Sequence, residues 1–296
     1  MNSANIRRER EESLPALFSV AERGDSMIGI SDKEFERLAA YVKKSFGLQL
    51  SKKKKMLVLG RLGRVLQSLN FRSFNEYLDY VTGDRSGQAA VTLINRLTTN
   101  HTFFMRESDH FDYFRNRVLP EIMPRLRDRD LRVWSAGCST GEEPYTLAML
   151  IDEYLGNARP GWDTTLLATD ISERVLREAV RGVYPAESVE LLPKRWRLSY
   201  FVPCAEGQYA VAGRIRNEVV FRRFNLMDRF PFRKGFHVIF CRNVMIYFDE
   251  NTRMQLIRKF YDSLVPGGYL FIGHSETISR FELPFRYVKP SIYRKE

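Results

Sequence analysis

The sequence predicts an α/β fold in which a largely parallel, Rossmann-like sheet follows an all-helical N-terminal domain. Three observations predict it: helical periodicity without strands over residues 31–97, alternating strands and helices over residues 131–272, and a strand–glycine turn–helix unit at residues 131–147. Alternating strands and helices form parallel sheets with right-handed crossovers. A strand that leads through glycines into a helix N-terminus cradles nucleotide-like ligands.

The N-terminal third divides into an arm and a helical domain. Residues 1–28 are charged and weakly patterned, which predicts a mobile arm. Residues 29–97 form the helical domain: Ser31 and Glu34 make a capping box for a first helix, and further helices are predicted at residues 56–69, from Ser73 and at residues 89–97. Residues 98–107 break this periodicity and are predicted to be a linker that contributes to the ligand site.

The remaining domain, residues 108–296, begins with a helix at residues 109–123 and then alternates strands and helices. Strands are predicted at residues 131–136, 165–169, 238–241 and 269–272, and helices at residues 142–155, 172–183 and 251–264. Two short segments, 285–288 and 291–293, are expected as antiparallel edge strands. A hairpin of residues 210–215 and 219–224 around Arg216-Asn217 predicts a small antiparallel β-subdomain inserted at about residues 185–225.

Composition limits the functional classes. The 47 Lys+Arg against 36 Asp+Glu give a net charge of +11, which indicates an acidic partner without identifying it. The three cysteines, Cys138, Cys204 and Cys241, have neither disulfide-framework nor zinc-site spacing, so no metal is expected. The charged N-terminus does not resemble a signal peptide, and no apolar run reaches membrane-spanning length, which predicts a soluble cytoplasmic protein without membrane insertion.

Polar residues follow the predicted strands where a parallel sheet binds its ligand. Gly137 to Gly141 match neither a dinucleotide motif nor a P-loop, which disfavours NAD and ATP. Asp170 is suited to accept both ribose hydroxyls, although it could instead cap the helix that begins near Ser172. Glu142 and Glu143 could serve only the helix dipole, but a tandem pair also suits a cationic sulfonium ligand better than a phosphate.

Five segments together resemble the bacterial chemotaxis receptor methyltransferases, the CheR family. They are NRLTTNHTFFMRE (residues 95–107), WSAGCSTGEEPYTLAM (134–149), ATDIS (168–172), FCRNVMIYFD (240–249) and GGYLFIGHSE (267–276). The resemblance covers residues 31–294 and implies a Rossmann-like methyltransferase sheet. It further implies methyl transfer from S-adenosylmethionine to glutamates on chemoreceptor cytoplasmic helices, which yields glutamate γ-methyl esters and S-adenosylhomocysteine.

The resemblance also implies roles for individual residues. Cofactor contacts are implied for nine residues: Asn100, Thr102, Arg106, Glu143, Asp170, Asn225, Leu226, Arg242 and Asn243. Arg106 and Tyr247 are implied to border the transferred methyl group and to position the substrate carboxylate. Structural alternatives are a core role for Tyr247 and a solvated helix-start charge for Arg106. His274 is expected only to pack after the sheet.

The basic charge is concentrated where a partner is expected to dock. Residues 32–72 contain eleven Lys/Arg and three acids, a net charge of +8. Arg61 and Arg64 lie three residues apart on one predicted helix face and are expected to dock on the acidic cytoplasmic helices of methyl-accepting chemoreceptors, which would recruit the enzyme to membrane-bound receptor arrays. Residues 201–225 look shorter than in family members that bind the receptor's C-terminal tail, so tail tethering is not expected.

Two other functional classes are weighed against this one. A nucleic-acid methyltransferase would also be basic, but amino-methylating members carry an Asn-Pro-Pro-Tyr-like turn where this chain has Arg242-Asn243-Val244-Met245, so nucleic acid is not expected as a partner. A catalytically silent scaffold that only binds the cofactor predicts decay of the linker motif. Thr102, Arg106, Glu143 and Asp170 are all intact.

Overall fold

The computed structural model describes residues 28–98, 100–205, 207–278 and 284–296. The arm predicted for residues 1–28 lies outside this range except for Ile28. Among the described residues, no helix is long and apolar enough to cross a membrane. The described chain forms a helical part up to Leu97 and a sheet-centred part from Ser108 onward.

Four helices form the N-terminal part. They are α1 (Asp32–Phe46), α2 (Lys55–Ser68, after a 3-10 turn at Lys52–Lys54), α3 (Phe74–Gly83) and α4 (Gln88–Leu97). The predicted capping box is confirmed, because the Ser31 hydroxyl accepts from the Glu34 amide and the Glu34 carboxylate accepts from the Ser31 amide. The apolar faces of the helices meet in one core that includes Phe35, Leu38, Val42, Val58, Leu62, Phe74, Tyr77 and Leu93.

Two sheets are present in the described part of the chain. Their strands are β1 (Val133–Ala136), β2 (Leu166–Asp170), β3 (Val183–Pro185), β4 (Phe201–Ala205), β5 (Gln208–Val211), β6 (Val219–Arg223), β7 (Phe236–Cys241), β8 (Leu264–Ile272), β9 (Phe285–Lys289) and β10 (Ile292–Lys295). The main sheet has the order β6-β2-β1-β7-β8-β10-β9. Its first five strands are parallel, and β10 and β9 add to the β8 side as antiparallel strands, as predicted, with β9 rather than β10 at the edge.

The helices of this part are α5 (Ser108–Tyr113), α6 (Leu119–Ile122), α7 (Glu142–Leu155), α8 (Glu173–Arg181), α9 (Ala186–Glu190), α10 (Lys194–Tyr200), α11 (Gly213–Arg216) and α12 (Glu250–Ser263). A π-helical turn at Phe114–Val118 joins α5 to α6, where the sequence predicts one regular helix. Pro120 accounts for the difference, because it has no N–H and its ring crowds the carbonyl four residues earlier.

The predicted hairpin of residues 210–215 and 219–224 is wrong. Helix α11 (Gly213–Arg216) takes the place of the end of the first segment, and β6 pairs in parallel with β2 of the main sheet. The small antiparallel sheet is instead built from β3, β5 and β4. Apolar alternation identifies a strand but not its partner, and the turn-like Arg216-Asn217 sequence suggested the wrong one. Consequently β6, which was expected within the inserted subdomain at about residues 185–225, belongs to the main sheet.

The helical part packs against the carboxyl edge of the main sheet through the end of α1. The Asn225 side-chain amide donates to the Ser45 carbonyl at 2.8 Å, and the Gln49 amide donates to the Tyr247 carbonyl at 2.8 Å. Leu48 and Phe248 form an antiparallel β-bridge beside these contacts. The helical part is thereby placed directly over the sheet edge where a ligand is expected.

Candidate functional site

A large cavity lies at the carboxyl ends of β1, β2 and β7, and it contains about 1020 Å³ of empty space including its open mouth. The linker closes one side of the cavity and the helical part covers another. All nine residues expected to contact the cofactor line it, as does Tyr247. The lining also includes residues that sequence reasoning did not assign to the site, among them Phe46, Leu48, Ile94, Phe103 and Phe111.

The turn after β1 owes its shape to glycine. Gly137 has φ +92°, and a Cβ atom at this position would lie 2.4 Å from Cγ2 of Val244. The amides of Gly137 and Cys138 both donate to the Thr169 carbonyl, which fixes the turn against β2. Gly141 has φ +98° and stands at the N-cap of α7. Only glycine adopts such backbone at low cost, so the sequence dictates this close approach of backbone to the cavity.

Asp170 ends β2 at the cavity wall, and each of its carboxylate oxygens accepts one backbone amide, from Ser139 at 2.9 Å and from Ser172 at 2.9 Å. The helix-capping alternative does not hold, because the Ser172 hydroxyl is the N-cap group and accepts from the Val175 amide. Burial raises the pKa of Asp170. A carboxylate has about four lone-pair positions, so Asp170 keeps acceptor capacity for a diol.

Glu143 lies in the first turn of α7 and is held from two sides. Its Oε1 accepts from the Ser135 hydroxyl at 2.7 Å, and its Oε2 accepts from the Arg242 guanidinium at 2.9 Å. Neighbouring Glu142 is buried and accepts from the Thr140 hydroxyl at 2.7 Å, and burial raises its pKa. Glu142 does not line the cavity, so of the tandem pair only Glu143 belongs to the site.

Arg242 connects three segments of the site. Its side chain is only 2% exposed and forms ion pairs with Glu107 at 3.1 Å and with Glu143 at 2.9 Å. It also donates to the Arg106 carbonyl and lies over the Phe111 ring. Burial by itself would raise the pKa of Glu107, but hydrogen bonds from Asn243 and Arg242 hold it below its usual value. Sequence reasoning did not assign Glu107 to the site, although it ends the linker motif.

Asn243 begins the segment that carries Tyr247, and the carboxylates of Glu107 and Glu276 fix this segment. Asn243 has φ +58°, and its side-chain amide donates to Glu107 Oε1 at 3.1 Å. Glu276, which is 3% exposed, accepts the amides of Asn243, Ile246 and Gly273 at 2.6–3.1 Å. Burial raises the pKa of Glu276. Glu276 is a second residue that sequence reasoning missed, because two of its partners, Asn243 and Ile246, lie 33 and 30 residues away in the chain.

The linker contributes backbone and side chains to the cavity. The Arg106 guanidinium donates to the His101 carbonyl at 2.7 Å, and the Ser139 hydroxyl donates to the Asn100 carbonyl at 3.2 Å. The side-chain Nδ2 of Asn100 is buried and donates to no acceptor among the described residues. Thr102 completes this wall. A buried amide group without an acceptor is costly, so Nδ2 of Asn100 marks a position where a ligand acceptor fits.

Asn225 and Leu226 follow β6 and close the cavity near α1. The Asn225 Oδ1 accepts the Met227 amide at 3.0 Å while its Nδ2 is engaged by Ser45. Leu226 is 8% exposed, and the Lys259 ammonium binds its carbonyl and the next two carbonyls. These contacts give Asn225 a positioning role between the two parts of the chain, while Leu226 supplies an apolar surface.

Arg61 and Arg64 lie outside this cavity, in an adjoining groove. Arg61 is partly buried and donates to the carbonyls of Leu97 at 2.6 Å and Thr98 at 3.4 Å, which caps the end of α4. Arg64 is exposed and makes no hydrogen bond or ion pair within the described residues. The two arginines, expected to act alike, therefore have different surroundings.

A cluster of ionisable side chains that includes Glu107, His110 and His274 lies next to Arg242. His274, expected only to pack, contacts the His110 ring, and its Nε2 lies 3.1 Å from Asp109 Oδ1. Glu107, His110 and His274 offer ligand atoms within 4.8 Å of one another. Both oxygens of Glu107 already accept from Arg242 and Asn243, and the nearby guanidinium repels cations. This donor set therefore fits a metal ion poorly.

Family models match almost the whole chain. The CheR methyltransferase all-alpha domain matches residues 33–98, and the CheR methyltransferase SAM binding domain matches residues 100–293. The boundary between the two matches falls at the linker. The cavity described above is lined by residues from both matched segments.

Curated relatives cover similar lengths. The chain is 43% identical over 272 residues to a chemotaxis protein methyltransferase of Borreliella burgdorferi, covering 90% of this chain and 96% of the relative. It is 36% identical over 270 residues to a chemotaxis protein methyltransferase of Escherichia coli, covering 90% and 92%. A solved glycopeptide N-methyltransferase, MtfA in complex with S-adenosylmethionine, shares 15% identity over 53% of this chain and 48% of its own, with a TM-score of only 0.30.

Proposed function

The chain belongs to the CheR family of S-adenosylmethionine-dependent chemotaxis methyltransferases, and we propose that it methylates glutamate side chains on the cytoplasmic helices of chemoreceptors. The products are glutamate γ-methyl esters and S-adenosylhomocysteine. The observation that carries the proposal is the convergence of all nine expected cofactor residues and Tyr247 on one cavity.

The cavity residues fit S-adenosylmethionine. Asp170 would accept the ribose hydroxyls, and the unpartnered Nδ2 of Asn100 would donate to the ligand. Glu143 would place negative charge near the ligand's cationic end, although Arg242 neutralises part of it. Leu226 and Phe224 supply apolar surface to the same wall. Gly137 lets the backbone approach this ligand closely.

The chemistry needs orientation more than acid–base catalysis. When bound, S-adenosylmethionine supplies a methyl group on a sulfonium sulfur, from which a nucleophile can take it in line. A glutamate carboxylate has an unperturbed pKa of about 4.3, so it is ionised at neutral pH and needs no general base. The chain's task is to align that carboxylate and exclude water, and alignment of this kind contributes about 7–11 kcal/mol in well-oriented systems.

Arg106 and Tyr247 are the residues that we assign to the substrate carboxylate. Within the described residues, only the His101 carbonyl accepts from the Arg106 guanidinium, so the other N–H groups are available to a carboxylate. Tyr247 lies on the opposite segment of the cavity lining, in a 3-10 turn at Met245–Tyr247. Arg106 should orient the carboxylate without a tight, desolvated pair, because such a pair would stabilise the ground state more than the transition state.

Acidic receptor helices also match the charge of the enzyme. The basic α2 face includes exposed Arg64 and the lysines that precede it. Complementary charge raises association rates and orients the encounter. On this proposal the enzyme is a cytoplasmic protein that is recruited to membrane-bound receptor arrays by its substrate.

Radiolabelled S-adenosylmethionine tests the proposal. The enzyme is incubated with a receptor cytoplasmic fragment or, separately, with DNA or RNA, and the products are treated with mild alkali. Methyl esters release volatile label in alkali, so volatile label from the receptor fragment is the expected result. Alkali-stable label on the receptor, or label on nucleic acid, would contradict the proposal. An Asp170→Ala enzyme serves as the control for cofactor dependence.

A further inference from the structure

A basic groove lies between the helical part and α8, next to the cavity. It contains about 1750 Å³ of empty space including its open side. Its walls come from α2, α4 and α8, and its lining includes Gly60, Arg64, Arg96, Thr98, Arg174 and Arg177.

All the charged side chains that line the groove are positive. Five of its lining residues are arginines and none is acidic. Arg64 and Arg96 are exposed on the helical wall, and Arg174 and Arg177 are exposed on α8. Within the part of the chain that the structure describes, each α8 arginine pairs with a glutamate of its own helix, Arg174 with Glu178 at 2.8 Å and Arg177 with Glu173 at 3.9 Å. Such exposed pairs are weak and exchange readily for another carboxylate.

The floor of the groove has room for close approach. Gly60 lies in the interior of α2, where glycine disfavours the helix, and a Cβ atom built there meets nothing within 4 Å. Internal packing therefore does not require glycine at this position. Its effect is to leave the groove open to a backbone or side chain from outside.

The groove adjoins the cavity. Thr98, at the end of α4, lines both of them. A rod lying in the groove would therefore pass the cavity mouth, and one of its side chains could enter toward Arg106 while the rest stay outside. A rod that docks in the groove would therefore present one of its side chains to the cavity.

We propose that the groove seats an acidic α-helix of the protein substrate, with Arg64 and Arg96 on one wall and Arg174 and Arg177 on the other. This inference rests on the proposed function and adds α8 as a docking element. Arg61 is not a docking residue, because it caps α4. The groove lining has no aromatic side chain, whereas single-stranded nucleic acid sites rely on aromatic stacking, which argues against a single-stranded nucleic acid as the occupant.

The first test neutralises one wall at a time. We expect Arg174→Gln/Arg177→Gln to raise the KM for a receptor cytoplasmic fragment about five- to tenfold, because two exposed charge contacts are lost. The kcat and the affinity for S-adenosylmethionine should stay unchanged, and KM should depend less on salt. Arg64→Gln should act in the same direction. The matched control, Arg117→Gln/Arg127→Gln, removes two exposed arginines that lie outside the groove.

The second test fills the groove without removing charge. Gly60→Leu replaces glycine by a good helix former, so the midpoint of thermal unfolding should not fall. We expect the KM for the receptor fragment to rise at least as much as in the α8 variant. A rise in KM together with an unchanged or higher unfolding midpoint separates docking from folding.

The outcomes distinguish this inference from the proposed function. Absence of methyl ester on the receptor with the parent enzyme refutes the proposed function, and fluorescence-detected binding of the same fragment then still tests the groove. If the parent is active but the KM of Arg174→Gln/Arg177→Gln stays within twofold of the parent, the α8 wall is refuted. Tighter binding of duplex DNA than of the receptor fragment would overturn the assignment to an acidic protein.

Discussion

Arg242 is the residue on which the charge contacts of the site converge. It holds Glu107 from the linker, Glu143 from α7 and the Arg106 carbonyl, and its side chain is 2% exposed. Removing one partner of a buried ion pair leaves an uncompensated charge. Arg242 therefore positions the linker against the sheet in addition to lining the cavity.

We expect Arg242→Ala to lower the free energy of unfolding by about 3–5 kcal/mol, because two carboxylates that are only 14% exposed lose their counter-charge. Urea unfolding followed by circular dichroism measures this change. Arg127→Ala, at an exposed arginine, should change the free energy by less than about 0.5 kcal/mol. Equal effects of the two substitutions would show that the Arg242 network does not stabilise the fold.

Asp170→Ala should weaken the binding of S-adenosylmethionine about 10- to 100-fold, because a hydrogen bond to a charged group contributes about 1.5–3 kcal/mol. Isothermal titration calorimetry gives the dissociation constant directly. Asp163→Ala is the matched control, since Asp163 is exposed and lies before the amino end of β2 rather than at its carboxyl end. A variant at Asp170 that binds as tightly as the parent would refute the ribose assignment.

His110 predicts a pH dependence of stability. Burial, with a further contribution from Arg242, lowers its pKa to about 4, while Asp109 and Glu107 act in the opposite direction. The unfolded chain binds a proton near pH 6.5 and the folded chain does not, so stability is fully present above about pH 6.5 and falls as the pH drops toward 4.

We expect His110→Phe to make this loss smaller, measured as the free energy of unfolding in urea at several pH values. Some loss should persist, because burial also lowers the pKa of His237 to about 4. An unaltered profile in His110→Phe would show that His110 does not titrate in this range.

At the level of elements, the turn between β1 and α7 sets how closely backbone approaches the ligand. Gly137→Ala places a methyl group 2.4 Å from Cγ2 of Val244 and forces alanine to φ +92°. The left-handed backbone alone costs about 1–2 kcal/mol, so stability and cofactor affinity should both fall.

The double variant Gly137→Ala/Val244→Ala checks the cause by thermal unfolding and by calorimetry with S-adenosylmethionine. It should regain the steric part of the loss but not the backbone part. Full recovery would mean that the positive φ is unimportant, and no loss in the single variant would contradict the steric account.

The elements were predictable where local signals were strong. The Ser31 capping box, the strand–glycine turn–helix unit and the antiparallel edge strands all follow from short-range patterns. The partner of β6 was not predictable, because alternation does not specify pairing. The π turn before Pro120 was missed because a proline can also begin or kink a helix.

At the level of the whole molecule, the site is shared between the two parts of the chain. Residues that follow the parallel strands were predictable, because carboxyl ends of such strands meet at one edge. The sequence did not predict that Phe46, Leu48 and Ile94 line the cavity, because their position depends on how the helical part packs against the sheet. Glu107 and Glu276 were missed for a different reason, since their partners Arg242 and Asn243 are distant in the sequence.

The fold shows where part of the net charge of +11 is concentrated. Arginines from α4 and α8 join those of α2 around one groove, although they are far apart in the sequence. From the sequence, most of the excess basic charge was expected on the helical domain, within residues 32–72. The folded chain extends it across the domain boundary and up to the cavity mouth.

The central claim is methyl transfer to a glutamate carboxylate, and tandem mass spectrometry of a receptor cytoplasmic fragment tests it most directly. After incubation with the enzyme and S-adenosylmethionine, we expect glutamate residues of the fragment to gain the mass of one methylene group, and to lose it after mild alkali. The gain should be absent with Asp170→Ala at low cofactor concentration. A methyl group found on lysine, arginine or any other non-carboxylate side chain, or no modified residue at all, would contradict the claim.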